Sequence, residues 1–203
     1  MSRQHGETTT MKTLYIFLTR SGTMLSNLVY RLTGAQYTHI SLAFDEDLST
    51  LYSSTRKNGY TMFPAGPSRE YLNRGVFLMR ENIPCALYAL EVTDEAYIRA
   101  KRRTQHMMHH GELYRFNSLG LLLCWMHIRW QRRRHYFCSQ FVSEVLQKSG
   151  ALDLPKPSTL MHPSDYADLP QRQSMEMGEV ESVMGLYLSV LLGAVRGGVR
   201  HLF

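Results

Sequence analysis

The segment at residues 37–44 constrains the fold of this chain more than any other. Its sequence, Y-T-H-I-S-L-A-F, alternates with a period of two, as expected for a β-strand with one buried face. An acidic turn, D-E-D at residues 45–47, follows, and residues 50–55 form a second β-rich run. Because strands joined by so short a turn pair antiparallel, the sequence predicts a β-hairpin within an antiparallel sheet.

Further strands and helices are predicted on both sides of this hairpin. Three more runs rich in β-branched and aromatic side chains predict strands at residues 13–18, 75–80 and 84–92. Helical spacing or an N-cap predicts helices at residues 23–32, 94–109 and 137–148. We therefore expect an α+β fold in which the sheet packs against the last of these helices.

The chain length suits a single hydrophobic core. At 203 residues, with 44% hydrophobic and 20% charged side chains, the composition is that of a folded globular domain. We expect a domain at residues 12–180, preceded by a polar, disordered extension at 1–11. Residues 181–203 are expected to form an apolar, helix-like tail.

Cysteine content and hydropathy bear on the compartment. Three cysteines, Cys85, Cys124 and Cys138, without C-x-x-C spacing argue against a disulfide framework and a zinc knuckle. No signal peptide pattern is evident, and no apolar run reaches the roughly 20 residues needed to span a bilayer. We expect a cytoplasmic protein, whose apolar run at residues 182–195 could lie on a membrane surface.

Cys138 and His39 have the placement that thiol catalysis requires. The first turn of a helix favours a thiolate through its dipole and its unpaired N–H groups, and Cys138 lies in such a turn. A thiol nucleophile also needs a base within hydrogen-bonding reach, and His39 begins a predicted strand. Cys85 and Cys124 lack this context and are expected in the core.

The hairpin suggests a third polar residue beside His39. If residues 45–47 form a three-residue loop, position 39 pairs with Ser53 across the ladder. A four-residue loop would shift the pairing to Ser54, because loop length determines register. Either hydroxyl could accept the imidazole N–H and set its tautomer.

Two motifs carry a family resemblance: Y-T-H-I-S-L-A at residues 37–43 and Y-F-C-S-Q-F-V at residues 136–142. In this order the chain resembles the circularly permuted NlpC-like hydrolases of the papain fold, in which the histidine strand precedes the cysteine helix. Relatives of lecithin retinol acyltransferase share that order, whereas ordinary papain-like enzymes place the cysteine first. The resemblance covers roughly residues 12–180, including the strand at 51–53 and the turn at 163–165.

The resemblance implies a papain-like fold and acyl-transfer chemistry. It assigns Cys138 as nucleophile, His39 as base and Ser53 as the third polar residue, a position that family members more often fill with His, Glu or Asn. No metal or cofactor is implied. The predicted substrate is an amide or ester of a peptide, lipid or small molecule, and Tyr37, Tyr136 and Arg134 are the predicted substrate-binding residues.

Two other functions remain open on sequence grounds. A basic, aromatic segment with Trp125, Trp130 and four arginines at positions 129 and 132–134 precedes the cysteine helix. With the net charge of +6, it suits an anionic membrane surface, and so a lipid acyltransferase. It also suits a non-catalytic binding module for an anionic ligand, although nucleic acid is the less favoured partner.

Several histidines admit other interpretations. His106 and His110 share a helical face and could bind a metal together with Glu112, but no second ligand pair has matching spacing. A solvated basic helix is the favoured interpretation of that segment. His162, near Asp165, is another candidate base, in a proline-rich stretch that is more simply a turn.

Overall fold

A computed structural model describes residues 10–22, 24–56, 65–79, 82–170, 172–180 and 183. The predicted N-terminal extension therefore lies outside the described residues except for positions 10 and 11. The predicted C-terminal tail lies outside them except for Val183. Within the described part of the chain, no helix has the length and hydropathy needed to cross a membrane.

A six-stranded antiparallel sheet, in the spatial order β4-β3-β2-β1-β5-β8, organises the fold. Its strands are β1 (Met11–Thr19), β2 (His39–Ala43), β3 (Leu51–Arg56), β4 (Ala65–Glu70), β5 (Pro84–Thr93) and β8 (Arg172–Glu179). Two short parallel strands, β6 (Arg115–Phe116) and β7 (His135–Tyr136), form a separate ribbon. The helices are α1 (Met24–Thr33), α2 (Val76–Met79), α3 (Asp94–His109), α4 (Ser118–Trp125) and α5 (Cys138–Ser149). The α+β class and the antiparallel sheet are thus confirmed.

Both faces of the sheet are covered by apolar side chains. On one face, side chains from β1, β2 and β5 pack with α3 and α5, with Leu14, Ile40 and Phe141 among the fully buried ones. On the other face, Phe17, Leu51 and Leu87 pack with Phe77 of α2 and with Val183. Burial on two sides makes the central strands continuous apolar runs, which is why β1 and β5 were evident from the sequence.

Helix α5 begins and ends one residue later than its sequence predicts. It begins at Cys138 and ends before Gly150, whose φ of 72° is the left-handed conformation that glycine adopts at low cost. It packs against β2 and β3. Arg103 of α3 donates to the Glu144 carboxylate at 2.6 Å, which fastens α3 to α5. The nucleophile candidate is therefore held on a helix anchored to the sheet.

The predicted strand at residues 75–80 is wrong. Residues 76–79 form the short helix α2, in which Phe77 is buried while Leu78 is 68% exposed. Gly75, at a φ of 62°, turns the chain into this helix, and the Leu78 N–H donates to the Gly75 carbonyl at 3.2 Å. A single turn with one buried side chain carries no periodicity that distinguishes it from a short strand.

Three elements have no clear sequence signal. Strand β4, A-G-P-S-R-E, contains glycine and proline, which disfavour strands, but it lies at the edge of the sheet, where proline is tolerated. Strand β8 is the opposite edge, and helix α4 is almost uniformly apolar. Strand β4 matters most for function, because its last residue, Glu70, lines the same cavity as Cys138.

Candidate active site

His39 and Cys138 meet at the end of an interior strand of the sheet. His39 is the first residue of β2 and Cys138 is the first residue of α5, and α5 lies on β2. The Cys138 side chain lies close enough to the His39 imidazole to raise the pKa of that ring, and both side chains line one cavity. The structure therefore brings together the two residues on which the sequence interpretation depends.

A carboxylate from β4 completes the cluster. Glu70 is the last residue of that strand, and its two oxygens lie 3.1 and 3.0 Å from Nε2 of His39. The Ser41 hydroxyl donates to one of these oxygens at 2.6 Å. Both side chains of the ion pair are mostly buried, with exposed fractions of 15% for His39 and 12% for Glu70.

This arrangement determines the tautomer of the imidazole. Because a carboxylate only accepts hydrogen bonds, Nε2 of His39 carries a proton and donates it to Glu70. Nδ1 is then the ring nitrogen left for the thiol. The thiol of Cys138, the imidazole of His39 and the carboxylate of Glu70 thus lie in the order of groups found in catalytic triads.

The electrostatics of His39 favour its charged form. Burial lowers the pKa of His39, but the Glu70 carboxylate and the hydrogen bond and charge interaction with Cys138 together raise that pKa to about 10. At neutral pH the imidazole is therefore protonated. This imidazolium lies beside the Cys138 side chain at the wall of the cavity.

A second pair of cysteine and histidine in the same protein has the opposite character. Sγ of Cys124 lies 3.6 Å from Nε2 of His162. Burial raises the pKa of Cys124 to about 12, and burial also lowers the pKa of His162. This pair is thus a neutral thiol and a neutral imidazole. Cys85 and Cys124 are each only 1% exposed, which confirms their expected place in the core.

The predicted third residues, Ser53 and Ser54, have other hydrogen-bond partners. The Ser53 hydroxyl donates to the Ile40 carbonyl at 2.7 Å, and the Ser54 hydroxyl donates to the Tyr136 carbonyl at 2.7 Å. Both side chains are fully buried. These bonds fasten β3 to β2 and to the residues that lead into α5, so both serines support the backbone around the site.

The hairpin register predicted from the turn is wrong. Leu42 pairs with Tyr52 in the antiparallel ladder. Three residues back along β2 and three residues on along β3, this register places position 55 opposite His39. The connection runs from residue 44 to residue 50, because Phe44 and Leu48 within it are buried at 5% and 2% exposure. Tertiary packing of these two side chains, rather than the acidic turn, determines the loop length.

Sequence reasoning missed Glu70, because β4 has no strand pattern. One signal could have found it: the family that the chain resembles often has Glu in the third position, and Glu70 is a carboxylate a short distance beyond the β3 strand. Pairing of Ser53 with Ser68 and of Leu51 with Glu70 brings the end of β4 to the site.

The predicted substrate-binding residues are not among the described residues that line the cavity. Tyr37 and Tyr136 are buried in the core at 4% and 7% exposure, where packing leaves their rings little access to a ligand. Arg134 is exposed, has a φ of 60°, and its carbonyl accepts a hydrogen bond from the Arg115 N–H. It lies in the connection between α4 and β7.

The histidines of α3 lie together at its end. The rings of His106 and His110 are 4.6 Å apart, and Nδ1 of His110 lies 3.8 Å from the exposed carboxylate of Glu112. Among the described residues, no group of three or more His, Cys, Asp or Glu side chains is arranged to hold a metal ion. His162 caps the short 3-10 helix at 163–168, in which Asp165 accepts its backbone N–H at 2.6 Å.

The cavity beside Cys138 has a volume of about 160 Å³. Its apolar wall comes from several elements: Val29, Ala65, Val76, Phe77, Phe116 and Leu121. Seven hydroxyl residues also line it, Thr19, Ser21, Ser26, Thr38, Ser54, Thr55 and Ser118, together with His39, Glu70 and Cys138. A cavity of this size accommodates a group on the scale of a benzene ring.

Thr19 is a polar residue of this wall that sequence reasoning did not single out. It pairs with His39 across β1 and β2 and is fully buried. Its Oγ1 has no hydrogen-bond partner among the described residues. A buried hydroxyl without a partner destabilises a fold. Because Thr19 lines the cavity, its hydroxyl is available to bind a polar atom of a ligand there.

Comparison of the chain with protein-family models, with curated proteins and with solved structures finds no match in any of the three. The family resemblance therefore rests on the two sequence motifs.

Glu70 and Ser53 offer a test of which side chain orients His39. We expect Glu70→Gln to slow alkylation of Cys138 by iodoacetamide at pH 6 by at least about tenfold, because it removes the charge that keeps His39 protonated. Ser53→Ala should leave that rate within about twofold and lower the free energy of unfolding by about 1–2 kcal/mol. Equal rates for Glu70→Gln and the parent would contradict the assignment.

The His39 and Glu70 pair also predicts a pH dependence of stability. In Cys138→Ala the Glu70 carboxylate still lies beside His39, so we expect the pKa of His39 in the folded protein to stay above the unfolded value of about 6.5. The stabilisation that charged His39 gives the fold is then complete below about pH 6.5. As the pH rises this stabilisation is lost, and the free energy of unfolding falls by up to about 1.4 kcal/mol per pH unit. Urea unfolding between pH 6 and 9 measures this, and adding His39→Gln should flatten the slope.

Thr19→Val tests the unpartnered hydroxyl. Valine keeps the shape and the β-branching that suits a strand, so removing the hydroxyl should raise the free energy of unfolding by about 1 kcal/mol or more. Urea denaturation measures this change, with Thr38→Val as the comparison, because the Thr38 hydroxyl is bonded to Ser26 at 2.7 Å. Destabilisation by Thr19→Val would show that the hydroxyl has a structural partner.

Proposed function

We propose that this protein is a cysteine hydrolase or acyltransferase that acts on an amide or ester through a Cys138, His39 and Glu70 triad. One observation carries the proposal: His39 contacts a carboxylate and a thiol at once, at the wall of a cavity. A structural histidine in a core would need neither an ion pair nor a neighbouring thiol at a helix start.

We propose further that the fold is a permuted papain-like fold. The histidine strand precedes the cysteine helix along the chain, and that helix packs on the antiparallel sheet. The segment at 161–168 packs against the first two turns of α5: the Ser139 hydroxyl donates to the Met161 carbonyl at 2.6 Å, and Ser143 and Tyr166 share a hydrogen bond. These contacts agree with the second motif and the turn that carry the family resemblance.

In the acylation step the Cys138 thiolate attacks the substrate carbonyl, forming a carbon–sulfur bond and an oxyanion. The N–H groups in the first turn of α5, that of Cys138 among them, are the donors for that oxyanion. Collapse of the intermediate breaks the bond to the leaving amine or alcohol, which takes the proton from His39. Glu70 stabilises the imidazolium until that proton leaves.

Deacylation returns the site to its starting state. His39 is then neutral and removes a proton from water, whose oxygen attacks the thioester carbon. The carbon–sulfur bond breaks, the acid is released, and the thiolate and the protonated imidazole are restored. If an alcohol or amine replaces water, the same steps give acyl transfer.

The cavity limits the substrate group that lies next to Cys138. A space of about 160 Å³ with apolar walls on α1, α2 and α4 suits a small apolar or aromatic group. The Thr19 hydroxyl supplies a polar contact within it.

The pH dependence of alkylation by iodoacetamide, with the modified site identified by mass spectrometry, tests the activated thiol. We expect Cys138 to react at pH 6, well below the free thiol pKa of about 8.5, and His39→Gln to slow that reaction by at least about tenfold. Cys124, with its raised pKa, should stay unmodified in the folded protein and is the internal control. An unreactive Cys138 would favour the non-catalytic binding module.

Hydrolysis of p-nitrophenyl acetate tests the covalent step. We expect a burst of p-nitrophenolate equal to one acyl group per chain and a mass increase on Cys138. Cys138→Ser should lower the rate by about a thousandfold or more. Turnover that survives this substitution would remove Cys138 from the mechanism.

A further inference from the structure

Helix α4 presents an exposed apolar face. Leu119, Leu122 and Met126 recur at the spacing of one helical face and are 52%, 48% and 52% exposed. Trp125 and Ile128 beside them are 38% and 45% exposed. The opposite side of the helix is buried through Gly120 and Cys124. A cluster of large apolar side chains in water marks an interaction surface.

This face lies next to the cavity. Ser118 and Leu121 of α4 line the cavity wall, on the side of the helix adjacent to the exposed residues. Two other elements of the cavity wall also carry exposed apolar side chains. In α1, Leu28 immediately precedes the lining Val29 and is 53% exposed. Leu78 of α2, next to the lining Phe77, is 68% exposed. Exposed apolar side chains thus come from three elements that line the cavity.

Arginines follow α4 directly. Four of them, Arg129, Arg132, Arg133 and Arg134, are exposed in the connection to β7. None of the four forms an ion pair with a carboxylate among the described residues. The Ile128 N–H donates to the Leu123 carbonyl at 2.8 Å, which closes the end of α4. The positive charge therefore follows the apolar face within a few residues along the chain.

We propose that the exposed face of α4 and these arginines form a docking surface for a membrane that contains anionic lipid. Apolar side chains with a tryptophan suit the boundary between headgroups and acyl chains, and arginines suit the phosphates of the headgroups. A nucleic acid would use the arginines but leave the leucines in water. The combination of both features therefore favours a lipid surface.

Docking in this way places the mouth of the cavity at the membrane. An amide or ester with an acyl chain could then reach Cys138 without leaving the apolar phase. This assignment of substrate class, an acyl lipid, rests on the proposed function, whereas docking does not depend on the thiol.

Co-sedimentation of the full chain with phosphatidylcholine vesicles, with and without phosphatidylserine, tests the surface. We expect binding that requires phosphatidylserine and weakens with salt. Arg132→Gln and Arg133→Gln should each weaken binding about fivefold, as expected for one charge near an anionic surface. The double change Leu122→Ser and Met126→Ser should weaken it by at least about tenfold.

Control substitutions on α3 test whether the loss of vesicle binding is specific to the α4 surface or follows from any loss of an exposed charge or apolar side chain. Ile98→Ser and Arg102→Gln, at exposed positions of α3, should bind as the parent does. Cys138→Ala should also bind normally, so that loss of docking and loss of thiol chemistry are distinguishable. Far-UV circular dichroism and urea unfolding report whether the α4 variants remain folded, and neither measurement depends on the thiol.

Three results would overturn the proposal. The α4 variants could bind vesicles as the parent does. A polynucleotide could displace the protein from vesicles while the leucine and methionine changes have no effect. Analytical ultracentrifugation without lipid could show a dimer that Leu122→Ser and Met126→Ser dissociate, which would assign the face to a second copy of the chain.

Discussion

The Glu70 carboxylate lies 3.0 Å from Nε2 of His39 in a largely buried setting, and the charge of the whole site follows from that contact. Burial on its own would favour neutral imidazole. Because Glu70 and Cys138 together outweigh the effect of burial on the pKa of His39, the imidazole holds its proton. Ser41, which donates to Glu70, holds the carboxylate in place. The chemistry proposed for Cys138 depends on this ion pair.

The contact between Cys124 and His162 shows what the same two residue types do without a carboxylate on the imidazole. Burial there favours the neutral forms of both, and the thiol has a pKa raised to about 12. Asp165 is close to His162, but its carboxylate accepts the backbone N–H and pairs with Lys156 at 2.7 Å. Proximity to a cysteine therefore does not raise the pKa of a histidine by itself, and the carboxylate beside His39 is what distinguishes it from His162.

Several parts of the fold follow from local sequence patterns. Strands β1 and β5 are continuous apolar runs, and α3 and α5 have capping residues at Thr93 and Gly150 that mark an end of each helix. The pair of Cys138 and His39 was predicted because helix start and strand start are local features. Strand β4 was not, because a proline-containing edge strand is stabilised by its pairing with β3 rather than by its own pattern.

The amino-acid sequence by itself determined the class of fold, the order of the histidine strand and the cysteine helix, and the two residues that meet at the site. These depend on periodicity, capping and turn residues, which act over a few neighbours in the chain. The tertiary structure alone decided the hairpin register, the partner of His39 and the exposure of α4. Each of these depends on packing between residues far apart in sequence: Phe44 and Leu48 set the loop, and pairing of β3 with β4 brings Glu70 to an imidazole 31 positions away.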